Sequence, residues 1–380
     1  MAGERAMAVA ASTADLVEGV LRRCGRDTLS ASEVAELRAV ASVYTEADWR
    51  PLYETARREG MAPLVFQHLA TAGLLGAPPP AMVSDLKRDY AVSLIGNRVL
   101  WRELRAVVQA FAAQGCDAVP LKGVSLAVRA YSASALRPAG DTDLLILPSA
   151  MKSCTEALAS LGYAPSAGSE RLTGSHAVRF QELIFTKAGK PPVELHTTLT
   201  RAGSYRRSLP LSDVWSRTQL FTTEGTALRH LHPYDEALYL CLHLAAQHDF
   251  DRLIWLVDIA QLLTTLPHTW DWDEFARLVV TRGAATPVMI TFEQARARLG
   301  MEIPAEVLRR LRLATHSRHE RAAWRLSHAA FSNPRRASLH LLSLATFPQR
   351  LAFAREMAAT GLRRLVRAAH VISRRSASAY

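Results

Sequence analysis

The sequence predicts an α+β protein in which a small α/β core with a mixed sheet is flanked on both sides by helical regions. Three observations carry this. Apolar residues recur at helical spacing through the first hundred positions and again beyond Pro233. Between these regions, short apolar runs alternate with helical stretches across glycine- and proline-bearing turns. No period of about 20–50 residues repeats, which argues against a helical array. The division expected is a helical region over 1–79, a core over 80–228, and a helical domain with an Arg-rich tail over 229–380.

Taken in order, Ser30-x-x-Glu33 and Thr45-x-x-Asp48 have the form of capping boxes, whose side-chain oxygens satisfy the N–H groups of a first helical turn. Apolar residues at helical spacing follow each, Val34, Leu37 and Val40 after the first and Trp49, Leu52 and Ala56 after the second. Pro63 suits the first turn of a further helix. Gly76-Ala-Pro-Pro-Pro80 cannot continue a helix and marks a hinge or domain edge. Leu86, Tyr90, Leu94, Val99, Leu104, Val107 and Phe111 then predict one long helix from Ala81 to Gln114, stopped by Gly115. Ala118 to Leu121 is expected as a strand, Lys122-Gly123 as a turn, and Val124 to Tyr131 as a helix. After the Pro138-Ala-Gly140 break, Asp141 to Leu147 is a second strand, and Ser149 to Leu161 a helix capped by Ser149. Phe180 to Thr186 and Pro192 to Thr198 are expected to pair as a hairpin around Lys187-Ala-Gly-Lys190. Helices follow at Tyr234 to Gln247, Leu253 to Leu263, Trp272 to Arg282 and, with Thr286 as N-cap, Thr286 to Leu299.

No stretch approaches the roughly 20 apolar residues of a membrane span, and Asp15 and Glu18 interrupt the Ala-rich opening, so a cytoplasmic protein is expected. Cys24, Cys116, Cys154 and Cys241 are scattered without Cys-x-x-Cys spacing, which favours core packing over zinc or disulfides. The net charge is +11, and all of this excess lies beyond residue 300, where fifteen Arg stand against four Glu with no Lys or Asp. With the rest of the chain balanced, a uniformly basic nucleic-acid binder is disfavoured.

The residues that can carry chemistry lie between Val119 and His196. On a strand alternate side chains share a face, so Asp141 and Asp143 are expected to point together. Such a pair suits a magnesium ion, which takes one or two carboxylates and leaves the rest of its octahedron for phosphates. Glu194, in Pro-Val-Glu-Leu-His, supplies a third carboxylate on a later strand, with His196 on its face, which completes a two-metal arrangement. Lys122-Gly123-Val-Ser125 lies between a strand end and a helix start, where backbone N–H groups, an ammonium and a hydroxyl can address phosphate oxygens. Arg137 is a further cation close to the carboxylates. Each piece is common alone; their order in one connected unit is what carries meaning.

That order resembles the polymerase-beta-like nucleotidyltransferase superfamily, and more closely a poorly characterised bacterial nucleotidyltransferase family within it. The similarity covers Trp49 to Leu74, Asn97 to Glu103, Pro120 to Leu147, Leu161 to Tyr163, Val193 to His196, and His243 to Leu262. The resemblance implies a polymerase-beta-like core, with Asp141 and Asp143 as the metal-binding pair and Glu194 as the third acid. It also implies Gly123 and Ser125 as the turn that holds a triphosphate, with Lys122 in the family's Lys-Gly form. The sequence departs from the wider superfamily at Val124, which follows Gly123 where a serine or second glycine is usual. The activity expected is magnesium-dependent transfer of a nucleoside monophosphate, AMP from ATP, to an acceptor, with release of pyrophosphate. A small molecule or peptide is favoured over RNA as acceptor. The alternatives are phosphotransfer from the same triphosphate site and a non-catalytic nucleotide- or RNA-binding protein.

Two further segments invite a role. His243 and His248 are five residues apart, which on an α-helix leaves them about 140° apart and unable to share an ion. Helix-end capping or contact with the core is expected of them, and Asp258 is expected to pair with a cation such as Arg252. In the tail, Arg350, Arg355, Arg363, Arg364, Arg367, Arg374 and Arg375 alternate with apolar residues. This pattern fits a helix packed by one face, and it also offers a docking surface for an anionic partner.

Overall fold

A computed structural model of the protein describes residues 12–166, 182–200, 203–223, 225–248, 250–266, 270–315 and 351. The Arg-rich pattern of the tail and the start of the strand expected from Phe180 lie outside them. The architecture is α+β. Four helices come first among the described residues: α1 (Thr13–Cys24), α2 (Ala31–Ala41), α3 (Glu46–Arg58) and α4 (Ala62–Thr71). Both expected boxes sit at helix starts: Glu33 accepts from the Ser30 backbone N–H at 2.8 Å, and Asp48 from that of Thr45 at 2.9 Å. After the proline run, α5 (Pro80–Ala113) extends for 34 residues.

The core follows as β1 (Val119–Leu121), α6 (Gly123–Ala130), β2 (Thr142–Leu145), α7 (Met151–Ser160), β3 (Ala164–Pro165), β4 (Glu182–Thr186) and β5 (Val193–His196). Its sheet has the order β1-β2-β5-β4-β3. Only the β2–β5 pair is parallel; the others are antiparallel, including the expected β4–β5 hairpin. Then come α8 (Leu211–Ser216), the hairpin of β6 (Gln219–Thr223) and β7 (Thr226–His230), and the helices α9 (Pro233–Leu242), α10 (Leu253–Thr264), α11 (Trp272–Thr281), α12 (Ala285–Leu299) and α13 (Ala305–Ala314). Among the described residues, no helix is long and apolar enough to cross a membrane. The four cysteines are free and buried.

Strand alternation divides the sheet's two faces between two apolar clusters. Leu144, Ile146, Leu183, Phe185, Val193 and Leu195 pack on Leu104, Val107 and Phe111 of α5 and on Cys154 and Leu158 of α7. The larger cluster joins α1–α4 and the start of α5 to α9–α13, and takes in Leu121, Leu126 and Leu145. Asp143, Glu194 and His196 therefore project away from the α5–α7 layer. Gly60 shows how closely the first and last helices meet. Its φ is +76°, and a Cβ there would lie 2.8 Å from Ile254 Cγ2, so only glycine fits. Beside it, the Glu59 carboxylate accepts from Leu253 N at 2.8 Å and closes the first turn of α10.

Two expected caps do not form. A 3₁₀ turn over Pro148–Ala150 precedes α7, so that helix starts at Met151 without a Ser149 side-chain cap. Helix α12 starts at Ala285, which places Thr286 inside the first turn, where it is buried. The β6–β7 hairpin was not anticipated; β6 is largely exposed and lacks the alternation that marks a half-buried strand.

His230 of β7 is buried, and neither ring nitrogen has a hydrogen-bond partner among the described residues. Burial, reinforced by the Arg129 charge, holds its pKa down to about 3. The unfolded chain takes up this proton near pH 6.5 and the folded chain does not, so the contribution is full above that pH and lost as pH falls toward 3. Stability should drop by roughly 1.4 kcal/mol per pH unit from this group below pH 6. In urea titrations from pH 7 to 4, His230→Phe should show a shallower decline than the parent; equal slopes would refute the assignment.

Candidate active site

The site begins where β1 ends. Leu121 pairs with Asp143, and the chain then turns through Lys122 (φ 35°, ψ −146°) and Gly123 (φ 50°) into α6. A left-handed lysine costs about 1–2 kcal/mol and persists only where its surroundings require it. Here the conformation accompanies an ammonium placed 2.5 Å from Asp143 Oδ2. A Cβ on Gly123 would lie 3.7 Å from Asp141 O and 4.0 Å from Ala139 Cβ, so the turn rests on the segment that leads into β2. Ser125, in the first turn of α6, is buried and its hydroxyl has no partner among the described residues.

Parallel pairing of β2 with β5 sets Asp143 directly opposite Glu194. His196, two residues on, returns to the same face, with Nε2 2.8 Å from Asp143 Oδ1 and 3.7 Å from Glu194 Oε2. One ligand atom from each of Asp143, Glu194 and His196 lies within 4.8 Å of the others. Burial alone would push the Asp143 carboxyl up, but the Lys122 ammonium and the His196 hydrogen bond outweigh it and hold the group well below the usual carboxylate range. Asp141 behaves oppositely: burial and then the Asp143 charge raise it, against Lys122, Arg137 and His196. Two neighbouring carboxyls driven apart in this way are typical of functional sites. Asp141 precedes β2 and lies outside the three-residue group, though within its electrostatic reach.

The donor set fits a divalent cation. Two carboxylates and an imidazole converge, and the Lys122 ammonium already places a positive charge against the most buried of them. Strand β5 is held in place from α5, where Glu103 forms an ion pair with Lys190 of the β4–β5 turn and lies 3.4 Å from the Tyr163 hydroxyl.

Arg137 is placed differently from its neighbours. Its guanidinium points at Asp258 of α10, with Nη2 2.6 Å from Oδ2 and Nε 3.1 Å from Oδ1, while Nη1 donates to Pro138 O at 2.9 Å. Asp258 thus pairs with Arg137 and not with the expected Arg252, which lies over the Trp255 ring at 5.8 Å. The two histidines also depart from the α-helical spacing expected of them. Residues 243–247 form a π-helical turn, whose i→i+5 period brings residues five apart onto one side. The His243 and His248 rings meet at 4.4 Å, and Trp255 closes on His248 at 4.3 Å. Burial, with the Lys122 and His248 charges, holds His243 well below its ordinary pKa, against the opposing pull of Asp143.

A family model described as an uncharacterised nucleotidyltransferase matches residues 45–300. No curated protein matches the chain. The matched span runs from the first residue of the Thr45 box to the end of α12, and so takes in helices on both sides of the sheet.

Removing Lys122 leaves a buried carboxylate short of a cation. Lys122→Met should cost the metal-free protein about 3 kcal/mol. Millimolar magnesium or manganese should restore part of it. Thermal melts with and without the ion check this; a variant as stable as the parent would show that Asp143 does not depend on the lysine.

Proposed function

The chain belongs to this nucleotidyltransferase family, and from that premise we propose that it transfers a nucleoside monophosphate, AMP from ATP, to a small-molecule or peptide acceptor with magnesium as the metal. The observation that carries the proposal is the parallel β2–β5 register, which sets Asp143 against Glu194 with His196 beside them and Asp141 at the strand's entrance. Magnesium bound there would neutralise phosphate charge and polarise the reacting oxygens. Asp143, Glu194 and His196 would hold one ion, Asp141 with Asp143 a second, and Glu194 would face the acceptor. Lys122 and the N–H groups at the start of α6 would address the phosphates, with the unpartnered Ser125 hydroxyl as a further donor. The acceptor oxygen forms its bond to the α-phosphorus as the bond to the bridging oxygen breaks. The acceptor proton passes to Glu194, and pyrophosphate leaves. Positioning and charge neutralisation supply the rate.

Calorimetry with Mg-ATP and the other triphosphates, followed by an acceptor screen monitored by pyrophosphate release, tests the reading. Asp143→Asn and Glu194→Gln, each shown to be folded, should lower turnover at least a hundredfold or so. Full turnover in either variant would sink the assignment. Mass spectrometry of the product decides the group transferred, because an acceptor heavier by a phosphoryl group alone would replace nucleotidyl transfer with phosphotransfer.

A further inference from the structure

The segment from Ser134 to Gly140 has no regular structure beyond a 3₁₀ turn over Ser134–Leu136, yet it delivers Asp141 to the site and supports the Gly123 turn. Two buried side chains, one from α5 and one from α10, hold it. Asn97, in the middle of α5, donates from Nδ2 to Ser134 O at 2.5 Å and to Arg137 O at 2.8 Å, and its Oδ1 accepts from Ala139 N at 3.2 Å. Both amide hydrogens and the carbonyl of this side chain are therefore spent on one short segment. Asp258, in α10, takes the Arg137 guanidinium through two nitrogens and also accepts from the Tyr131 hydroxyl at 2.7 Å. Asn97, Tyr131, Arg137 and Asp258 are all buried.

A buried ion pair adds little net stability over apolar packing, and its best-attested use is to specify one arrangement. Here the arrangement specified is a backbone path. Asn97 fixes the carbonyls and the N–H that flank Arg137, and Asp258 fixes the side chain between them. The segment is pinned from two helices at once, four residues before Asp141. We propose that Asn97 and Asp258 are positioning residues, which through Arg137 and residues 134–139 set Asp141 and the Gly123 turn at the geometry needed to bind a divalent cation. The proposal rests on the metal-binding reading of the site.

The test uses the full chain and manganese alone as the probe. Free Mn²⁺ is followed by electron paramagnetic resonance, and amide exchange over residues 134–141 by mass spectrometry. Asn97→Ala and Asp258→Asn should each raise the Mn²⁺ Kd about tenfold or more and speed exchange in that segment. Val279→Ala, which removes packing in α11, should destabilise the protein while leaving both readouts at the parent's values. A Kd within twofold of the parent in both clamp variants overturns the proposal, even where exchange is faster, because the clamp would then be structural only. Should Asp258→Asn not fold, Tyr131→Phe removes a single hydrogen bond and decides: about a threefold rise is expected, and an unchanged Kd overturns. A parent chain that binds no Mn²⁺ defeats the metal reading and this inference with it. A parent that binds, with variants that bind equally, defeats this inference alone.

Discussion

A carboxylate with 1% of its side chain exposed must be matched by positive charge, and Asp143 imposes that requirement on everything around it. Lys122 meets it with a charge from one side, and His196 adds a hydrogen bond from the other. Lys122 reaches Asp143 from a left-handed backbone, at the point where β1 turns into α6. His196 reaches it because β5 runs parallel to β2, which places Leu145 opposite His196 and Asp143 opposite Glu194. That register in turn depends on the β4–β5 hairpin, whose turn is tied to α5 through Lys190 and Glu103. The strain of the turn, the parallel pair in an otherwise antiparallel sheet and the long helix beneath it all serve one buried charge.

The parts of this arrangement that were legible in the sequence are local. Leu144, Ile146, Val193 and Leu195 alternate with Asp143, Glu194 and His196, and period-two alternation is visible without a structure. Gly115, Gly123 and Gly189 mark turns because they occupy positive φ. What stayed hidden depends on geometry between distant segments or on a departure from the standard helix. Arg137 reads in sequence as a further cation close to the carboxylates; its ion-pair partner is 121 residues away. The histidine pair looked incompatible with a shared face because an α-helical period was assumed, whereas the chain widens to a π turn there. Asn97 carried a trace of its role: an amide among the Leu100, Leu104 and Val107 positions of an apolar face is a polar group that must find partners.

The helices on either side of the sheet are part of the same construction. Tyr53, Leu64 and Leu69 from the first helices share one apolar cluster with Val257, Phe275 and Phe292 from the last. The family match from 45 to 300 covers both sets, so the recurring unit is larger than the strand–turn–helix core that carries the acids. The clamp on residues 134–139 gives this a physical sense. Asn97 comes from the helix that lies under the sheet and Asp258 from the helix that packs with the N-terminal group, so both layers bear on the path into β2.

Charge location bears on how an anionic substrate would approach. The chain's excess of positive charge lies beyond residue 300, outside the matched span, so the net charge of the catalytic region provides no long-range field for a triphosphate. The guanidinium of Arg137 is committed to Asp258, and that of Arg129, on α6, to Glu236. Lys122 faces Asp143, with Asp141 and Glu194 also close by, so acidic groups outnumber the lysine at the centre. A bare triphosphate would meet net repulsion there. A triphosphate that brings its own divalent cation reverses the sign of that encounter, because the same three carboxyls that repel the phosphates then attract the ion. On this account nucleotide binding would depend on the metal, whereas the carboxyls can take the metal without nucleotide.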